Sequence, residues 1–447
     1  MIDIDSLSLP VLIAALIGVI TIMGTAIIYL TRKQNETDED VDAVMDEIVQ
    51  TVSTEPPKKN KHQRKNDQWK AKVNEIKHLW FVTTLKGHTS NVVDIDFATG
   101  GKKFVSISDD RTAFLWDVRD FENKEHKCSR QVIEYDTPTH VSFAPDCKSV
   151  VFSMRRENKI CVYRLVKKEG TSSHHFSHVE NLDFEKRHQP DITDIGIASN
   201  AKYLMTASTD NKIYLYDLRG SVLKCIDAKA NSLHDCRLSP DGRFVIVSGF
   251  TPDVFVYEPI FSRDGNFQDA KKVFNMSGHS SGVLAAAFNS ASTRAVTVSR
   301  DGFWRIFDID IRYNAGQDAT ILRKGRIEEL AGLSSENMRL AMSPSGNSFS
   351  ISIGSNLMIF SSEDENKKFP ELCELHDERI SAIRYSSDGK LIATCGDKYI
   401  RVVRNVPEYH SIVTKLTREL PECTQETARR RIKEQIEEAK KELAKFE

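Results

Sequence analysis

The sequence predicts an all-β fold, a seven-bladed β-propeller, with an N-terminal transmembrane helix and a C-terminal helical tail. Three observations support this prediction. Residues 85–117 align with residues 276–308, weaker copies of the same pattern fill the rest of 139–405, and a long uncharged apolar run stands near the start of the chain. Because the 447 residues contain a repeat, length alone does not set the number of domains.

The apolar run predicts one transmembrane helix within an anchor at 1–31. No side chain between Asp5 and Arg32 is charged, and residues 9–30 suffice, at about 1.5 Å per residue, to cross a hydrocarbon core of roughly 30 Å. A cleaved signal peptide is the alternative, but it needs basic residues before the run, where this chain has only acidic ones. Because Arg32 and Lys33 follow the run directly, the positive-inside rule predicts a lumenal or external N-terminus and a cytosolic C-terminal part.

Residues 32–77 predict a charged linker, first acidic ("NETDEDVDAVMDE") and then basic ("KKNKHQRKNDQWKAK"). Neither block has the apolar periodicity of a packed element. A solvated tether is one interpretation, and binding of RNA phosphates or anionic lipid headgroups by the basic block is the other. The basic side chains concerned are Lys58, Lys59, Lys61, Arg64, Lys65, Lys70 and Lys72.

The repeat predicts short antiparallel strands over 78–405. "LKGHTSNVVDIDFATGGKKFVSISDDRTAFLWD" and "MSGHSSGVLAAAFNSASTRAVTVSRDGFWRIFD" share a Gly-His pair, an apolar-rich strand, a polar turn, a second strand, Ser-x-Asp, and an aromatic residue followed by Asp. This pattern resembles the WD repeat, a four-stranded propeller blade of about 40 to 45 residues. The weaker copies bring the number to seven, which predicts a seven-bladed WD-repeat β-propeller; they lie at 139–164, 191–217, 233–258, 338–362 and 380–405.

The resemblance to WD repeats implies a structural role for the polar residues of each blade. In that family a His, a Ser, an Asp and an aromatic residue form a hydrogen-bonded tetrad. By position these are His88, Ser108, Asp110 and Trp116 in the first blade, Ser208, Asp210 and Tyr216 in the third, and His279, Ser299 and Asp301 in the fifth. Phe307 stands at the aromatic position of the fifth blade and cannot donate a hydrogen bond, so that tetrad is expected to be incomplete.

Both ends of the predicted propeller suggest further contacts. The strand-like "HLWFVTTL" at 78–85 is predicted to close the ring as the outer strand of the seventh blade. Residues 406–447 predict amphipathic helices, and two interpretations of their apolar stripe stay open: packing on the propeller or the preceding helix, or self-association or a partner groove. The stripe consists of Ile432, Ile436, Ala439, Leu443 and Phe446.

The sequence predicts no catalytic residue, no metal and no cofactor. The motifs of P-loop enzymes, α/β-hydrolases, zincins and dinucleotide-binding proteins do not occur in it, which leaves a propeller hydrolase without a supporting motif. The eight cysteines never approach CxxC spacing, so we expect reduced thiols rather than a zinc site or a disulfide framework. "SHHFSHVE" at 173–180 is interpreted as a polar surface loop or outer strand rather than a metal site.

Taken together, the anchor, the tether, the seven blades and the helical tail resemble the transducin beta-like protein 2 family of membrane-anchored WD-repeat proteins. The stretches that carry the resemblance are "DDRT", "TDIGIASNAKYLMTAS", "GFTPDV" and "CGDKYIRV". It implies a non-enzymatic, single-pass protein of the endoplasmic reticulum membrane with a lumenal N-terminus and a cytosolic propeller that acts as a scaffold. It also implies a role in the unfolded-protein response, with the ER-stress kinase that phosphorylates a translation initiation factor, and binding of RNA or ribosomes.

Overall fold

Seven antiparallel sheets form a closed ring in the computed structural model, which describes residues 76–167, 174–182, 184–423 and 425–446. The innermost strand of each sheet contacts the innermost strand of the next, and the seventh contacts the first. The predicted seven-bladed propeller is therefore confirmed. No helix within these ranges is long and apolar enough to cross a membrane. The predicted anchor and the linker up to residue 75, with its basic block, lie outside the described residues.

The strands follow the chain from the inside of each blade to its outside, except that the first strand joins the last blade. This strand, β1 (Phe81–Lys86), pairs with β27 (Tyr399–Arg404) of blade 7. Blade 1 contains β2 (Val92–Phe97), β3 (Lys103–Ser108), β4 (Thr112–Asp117) and β5 (Cys128–Val132); blade 2 contains β6 (Pro138–Phe143), β7 (Ser149–Met154), β8 (Ile160–Lys167) and β9 (His174–His178); blade 3 contains β10 (Ile192–Ile197), β11 (Leu204–Ser208), β12 (Lys212–Tyr216) and β13 (Val222–Asp227).

The other blades follow the same order. Blade 4 contains β14 (Leu233–Leu238), β15 (Val245–Gly249), β16 (Val254–Phe261) and β17 (Phe267–Met276); blade 5 contains β18 (Val283–Phe288), β19 (Arg294–Ser299), β20 (Phe303–Asp308) and β21 (Thr320–Arg326); blade 6 contains β22 (Met338–Met342), β23 (Ser348–Ile353) and β24 (Asn356–Ser361); blade 7 contains β25 (Ala382–Tyr385), β26 (Leu391–Cys395) and β27 (Tyr399–Arg404). The predicted closure by the segment before the first Gly-His is confirmed by the β1–β27 pairing.

Burial explains why the second strand of a blade does not alternate between apolar and polar residues. In β3, β7 and β19 every residue after the first is buried. Such strands touch a neighbouring blade on both faces, so both faces favour apolar or small side chains. The turns before them carry the polar signals instead: in "SPDGR", Gly242 has φ of +72° and Ser239 Oγ accepts the Phe244 N–H at 2.7 Å.

Blade 6 has only three strands in the described part of the chain, and a helix covers its outer edge. Helix α1 (Val406–Glu419) begins with a proline in its first turn and packs on β23 and β24. Glu408 of this helix is buried and accepts hydrogen bonds from the side chains of Ser345 at 2.5 Å, Asn347 at 3.0 Å and Ser348 at 3.0 Å. The helix is therefore fixed to the propeller mainly by a buried carboxylate.

The predicted apolar stripe lies on helix α2 (Glu426–Leu443) and the turn after it. Ile436 and Ala439 are buried, and Ile432 is half-buried. Leu443 and Phe446 pack against the apolar cluster that contains Trp80. The structure thus places most of the stripe inside this chain, against α1 and blade 7, which is the first of the two interpretations.

Candidate functional site: blade tetrads and the channel mouth

A buried histidine joins three parts of blade 1. His88 is 6% exposed; its Nε2 lies 2.8 Å from Ser106 Oγ, and the Trp116 indole donates to the same oxygen at 2.9 Å. Its Nδ1 lies 3.1 Å from Thr112 Oγ1 and 3.3 Å from Asp110 Oδ2. Because Asp110 also accepts the N–H of the residue after His88 at 2.8 Å, the network holds the loop before β2 against the turn between β3 and β4.

Ser106, and not Ser108, supplies the hydroxyl of this network, so the prediction of Ser108 was wrong. Ser108 Oγ donates to the Ser90 carbonyl at 3.1 Å and accepts the Asp110 N–H at 3.2 Å. Residues two apart on a strand share a face, so the sequence pattern alone did not separate the two serines. Only the earlier one lies opposite the histidine ring.

The same correction applies in blades 3 and 5. Thr206 and Thr297 occupy the position next to the histidine, at 2.7 Å from His188 Nε2 and 2.8 Å from His279 Nε2. The predicted Ser208 and Ser299 donate instead to the backbone carbonyls of Asp191 and Gly282. Both serines therefore bind the loop before the innermost strand of their blade and take no part in the tetrad.

Two histidines of such networks, His188 and His376, were missed because a residue other than Gly precedes each of them. His376 lies 2.9 Å from Thr394 Oγ1 and 3.2 Å from Asp397 Oδ1 in blade 7. A different signal would have found them: in all four blades the histidine precedes its hydroxyl partner by 18 residues.

Blade 3 has the least complete of these networks. Tyr216 is buried, and this burial raises the pKa of its hydroxyl to about 12. Asp210 accepts the Lys212 N–H at 3.1 Å. His188 Nδ1, however, is buried without a hydrogen-bond partner in the described residues, so the bond between histidine and aspartate is missing here.

In blades 5 and 7 an arginine joins the network: Arg305 in blade 5, and Arg401 in blade 7, whose Nη1 donates to Asp397 at 2.6 Å. Arg305 pairs with Thr297 across the strands, where blade 1 has Phe114, and its Nη1 donates to Asp301 at 3.2 Å and also contacts His279.

Burial lowers the pKa of His279 to about 4, and the Arg305 guanidinium lowers it further. Burial opposes ionisation of Asp301 as well, but hydrogen bonds from the Ser280 backbone and His279 hold the pKa of this carboxyl below its usual value. Phe307 indeed provides no donor.

The innermost strands line a central cavity of about 600 Å³ whose charges are largely paired. Arg237 lies between Asp194, at 3.3 Å, and Asp235, at 3.0 Å, while Arg384 pairs with Asp94 at 3.2 Å. Burial raises the pKa of Asp194 to about 7. The carboxylates also join the blades, because Asp94 Oδ2 accepts the N–H of Val141 in blade 2 at 3.0 Å.

The cavity opens at a mouth formed by two sets of loops. One set precedes the innermost strands and the other connects the second and third strands, so an antiparallel meander places both on one face. At its edge Arg155 pairs with Asp109 at 3.0 Å and Arg379 with Glu336 at 3.3 Å. We call this face the channel mouth.

Two aromatic side chains are exposed at the channel mouth. Tyr135, before β6, is 84% exposed, and Phe250, between β15 and β16, is 53% exposed. The Arg300 guanidinium lies 5.7 Å from the centre of the Phe250 ring, and the His234 ring lies edge-on at 6.4 Å. Phe250 is therefore held in place while its surface stays open to a partner.

The structure gives no metal-binding arrangement in the part of the chain it describes, where no three His, Cys, Asp or Glu side chains cluster suitably. The His-rich segment forms β9, an outer strand, and its His178 packs beside Tyr163 with ring centres 5.0 Å apart. All eight cysteines are free, with Cys236 and Cys395 buried.

Comparison with known proteins agrees with this architecture. Residues 79–117, 180–217, 270–308 and 370–403 match the family "WD domain, G-beta repeat", and each of these four segments contains one of the four tetrad histidines. Human transducin beta-like protein 2 is 33% identical over 396 residues, which cover 87% of each chain, and the mouse protein is 33% identical over 86% of each. Nuclear distribution protein PAC1 of Arthroderma benhamiae is 26% identical over 36% of this chain and 28% of its own.

WD-repeat propellers of this kind are scaffolds for protein interaction and are generally not enzymes. The identity to the human and mouse proteins extends well beyond the repeats, over most of both chains. The chain therefore belongs to the transducin beta-like protein 2 family of WD-repeat proteins.

Proposed function

We propose that this chain is a non-enzymatic scaffold, tethered to the cytosolic face of the endoplasmic reticulum membrane, that binds proteins through the channel mouth. One observation carries the choice of surface: Tyr135 and Phe250 expose large aromatic surfaces there. Aromatic residues dominate the energy of protein interfaces because they bury much apolar area and lose few rotamers.

The surroundings of these aromatic residues fit the same purpose. A typical interface has an apolar centre and a polar rim. Around the channel mouth the rim is supplied by exposed ion pairs, such as Arg155 with Asp109 and Arg379 with Glu336. These pairs contribute little to stability themselves, so they can be exchanged for contacts with a partner at low cost.

The membrane location rests on the sequence and on family membership. The uncharged run at 9–30, followed by Arg32 and Lys33, supports a single-pass anchor with a lumenal N-terminus. By resemblance, the scaffold acts in the unfolded-protein response, and its partner is the ER-stress kinase that phosphorylates an initiation factor, or a component of translation.

Proximity labelling from the propeller of the full chain tests this proposal. Replacing Tyr135 and Phe250 with serine should remove partners that the unchanged chain labels. Leu218→Ser is a matched control, since Leu218 is 42% exposed but lies in a loop on the opposite face. Loss of the same partners in the control, or no loss in the double variant, would exclude the channel mouth. Deleting 1–31 should release the chain from alkali-washed membranes, and a full-length protein that is already soluble would disprove the anchor.

An RNA- or ribosome-binding tether is the second candidate, and the basic linker favours it. Seven cationic side chains fall between Lys58 and Lys72. Contacts between such residues and phosphates release counterions, so binding should weaken steeply with salt. Neutralising the seven residues should abolish RNA or ribosome binding together with its salt dependence; binding that survives would have to reside in the propeller.

A further inference from the structure

The outer strand of blade 5 differs from the other sheet edges of the propeller. β21 pairs only with β20, which leaves its other edge without a strand partner in the described residues. Five of its seven residues are exposed, and they include the adjacent Ile321 and Leu322, 44% and 45% exposed. Leu322 is the extra residue of a bulge, so the regular edge runs over 323–326.

This edge is also the most basic one. Its sequence "TILRKGR" contains Arg323, Lys324 and Arg326 and no acidic residue, for a net charge of +3. The outer strands of the other four-stranded blades carry net charges of 0 or +1. Cations on an edge prevent the addition of a like strand, including a second copy of this one. The same charges favour the addition of an acidic strand, so the edge discriminates between possible partner strands by their charge.

A groove continues this edge toward helix α1. It has a volume of about 400 Å³ and lies between blade 5, the turn between β22 and β23 of blade 6, and α1. Leu322 and Lys415 line it from β21 and α1, together with Arg294 and the carboxylates Asp308 and Asp310. Leu322 is the one apolar side chain of this lining, so an apolar contact is offered beside Leu322 and polar or charged contacts elsewhere in the groove.

Two of the three cations on this edge already have carboxylate partners, since Arg326 lies 3.9 Å from Glu328 and Arg323 lies near Glu363. Glu363 is buried and contacts Arg294 at 3.0 Å, Arg418 at 2.8 Å and Arg323 at 3.7 Å. Lys324 and Lys415, in contrast, pair with no carboxylate of the described chain. Both ammonium groups are thus available to carboxylates from outside.

We infer that β21 and this groove bind an acidic, extended segment of a protein partner, which adds to blade 5 as a fifth strand. Main-chain hydrogen bonds along 323–326 would provide affinity, as in other complexes formed by strand addition. Carboxylates of the partner would pair with Lys324 and Lys415, and an apolar side chain would contact Leu322. This site lies on the outer side of the ring and does not depend on the proposed channel mouth or on the tether.

A fluorescent peptide of about ten residues that alternates valine and glutamate provides the probe, with purified full-length protein. The matched peptides have lysine in place of glutamate, or proline at alternate positions so that main-chain donors are lost. Only the acidic peptide should bind, and its affinity should fall as salt screens the charges. Hydrogen exchange should show new protection in 320–326.

Charge reversal locates the site. Lys324→Glu combined with Lys415→Glu should weaken binding by about tenfold or more, as expected for the loss of close charge pairs. Lys271→Glu, on the outer strand of blade 4, is the control and should have less than about a twofold effect. Unchanged melting temperatures show that both variants are folded.

Three results would overturn the inference. The first is equal binding of the acidic and basic peptides, and the second is protection that maps away from β21. The third is binding of single-stranded RNA or phosphatidylserine vesicles at this edge without binding of the acidic peptide, which would assign the edge to a phosphate ligand. Phe250→Ser should leave peptide binding unchanged, which separates this site from the channel mouth.

Discussion

Replacing Ser106 tests how the blade 1 network stabilises the propeller. The side chain is fully buried. Its oxygen accepts a hydrogen bond from the Trp116 indole at 2.9 Å and forms another with His88 Nε2 at 2.8 Å. Ser106→Ala removes both hydrogen bonds and leaves two buried nitrogens without a partner. Because each such group costs about 1–3 kcal/mol and local relaxation recovers part of that, we expect unfolding to become easier by about 2–4 kcal/mol.

Ser106→Thr should cost less than about 1 kcal/mol, since it keeps the hydroxyl and adds only a methyl group. Three other blades already carry threonine at this position, namely Thr206, Thr297 and Thr394. Ser108→Ala is the second comparison and should cost about 1 kcal/mol, because its two bonds go only to backbone groups, those of Ser90 and Asp110.

Urea unfolding of the full-length variants, followed by tryptophan fluorescence, measures these differences. The order of destabilisation should be Ser106→Ala first, then Ser108→Ala, then Ser106→Thr. Equal losses for the alanine and threonine variants at 106 would show that packing, and not the hydroxyl, is what matters. Equal destabilisation by Ser108→Ala and Ser106→Ala would support Ser108, the hydroxyl predicted from the sequence, as the member of the tetrad.

Three further perturbations follow from buried contacts. Gly325→Ala should lower stability by about 1–3 kcal/mol and change tryptophan emission, because a Cβ at this position would overlap the buried Trp304 ring. Glu408→Ala should cost about 2–4 kcal/mol and expose the connection between α1 and α2 to limited proteolysis, since it removes the buried carboxylate that accepts from three side chains of blade 6. The folded pKa of His279, about 4, is below its unfolded value near 6.5, so its contribution to stability is complete above pH 6.5 and is lost as the pH falls toward 4. Asp194, whose pKa is raised to about 7, changes stability in the opposite direction as the pH falls. The test therefore compares how the urea midpoints of the unchanged chain and of His279→Gln change as the pH falls from 6.5 toward 4. The midpoint should fall less with pH in the variant.

The architecture of the propeller could be predicted from the sequence because each blade repeats the same local chemistry. Alternation, Asp-Gly turns and the Gly-His pair recur at a blade's length, and the segment before the first repeat had no other strand to join. The choice between Ser106 and Ser108 was beyond this reasoning. Both lie on one face of β3, and only the three-dimensional position of His88 decides which oxygen it meets.

The role of α1 could not be predicted for a different reason. An apolar stripe is the sequence signal that predicts how a helix packs, but this helix attaches through Glu408 and through Ser411, whose hydroxyl lies 2.7 Å from Ser361 Oγ. Polar contacts of this kind have no periodicity in the sequence. That blade 6 has three strands in the described residues could not be predicted either, because these strands alone reproduce the strand, turn and strand order that identifies a copy of the repeat.

The four blades with a tetrad histidine are blades 1, 3, 5 and 7, and the family match covers the same four. Each of the other three blades therefore lies between two blades whose mouth loops are fixed by a buried network. Loops that need not build a tetrad can carry other side chains, and Tyr135 and Phe250 belong to the connections of blades 2 and 4. In this propeller the motif thus marks where the frame is stabilised, and the two aromatic side chains exposed at the channel mouth belong to blades without a tetrad histidine.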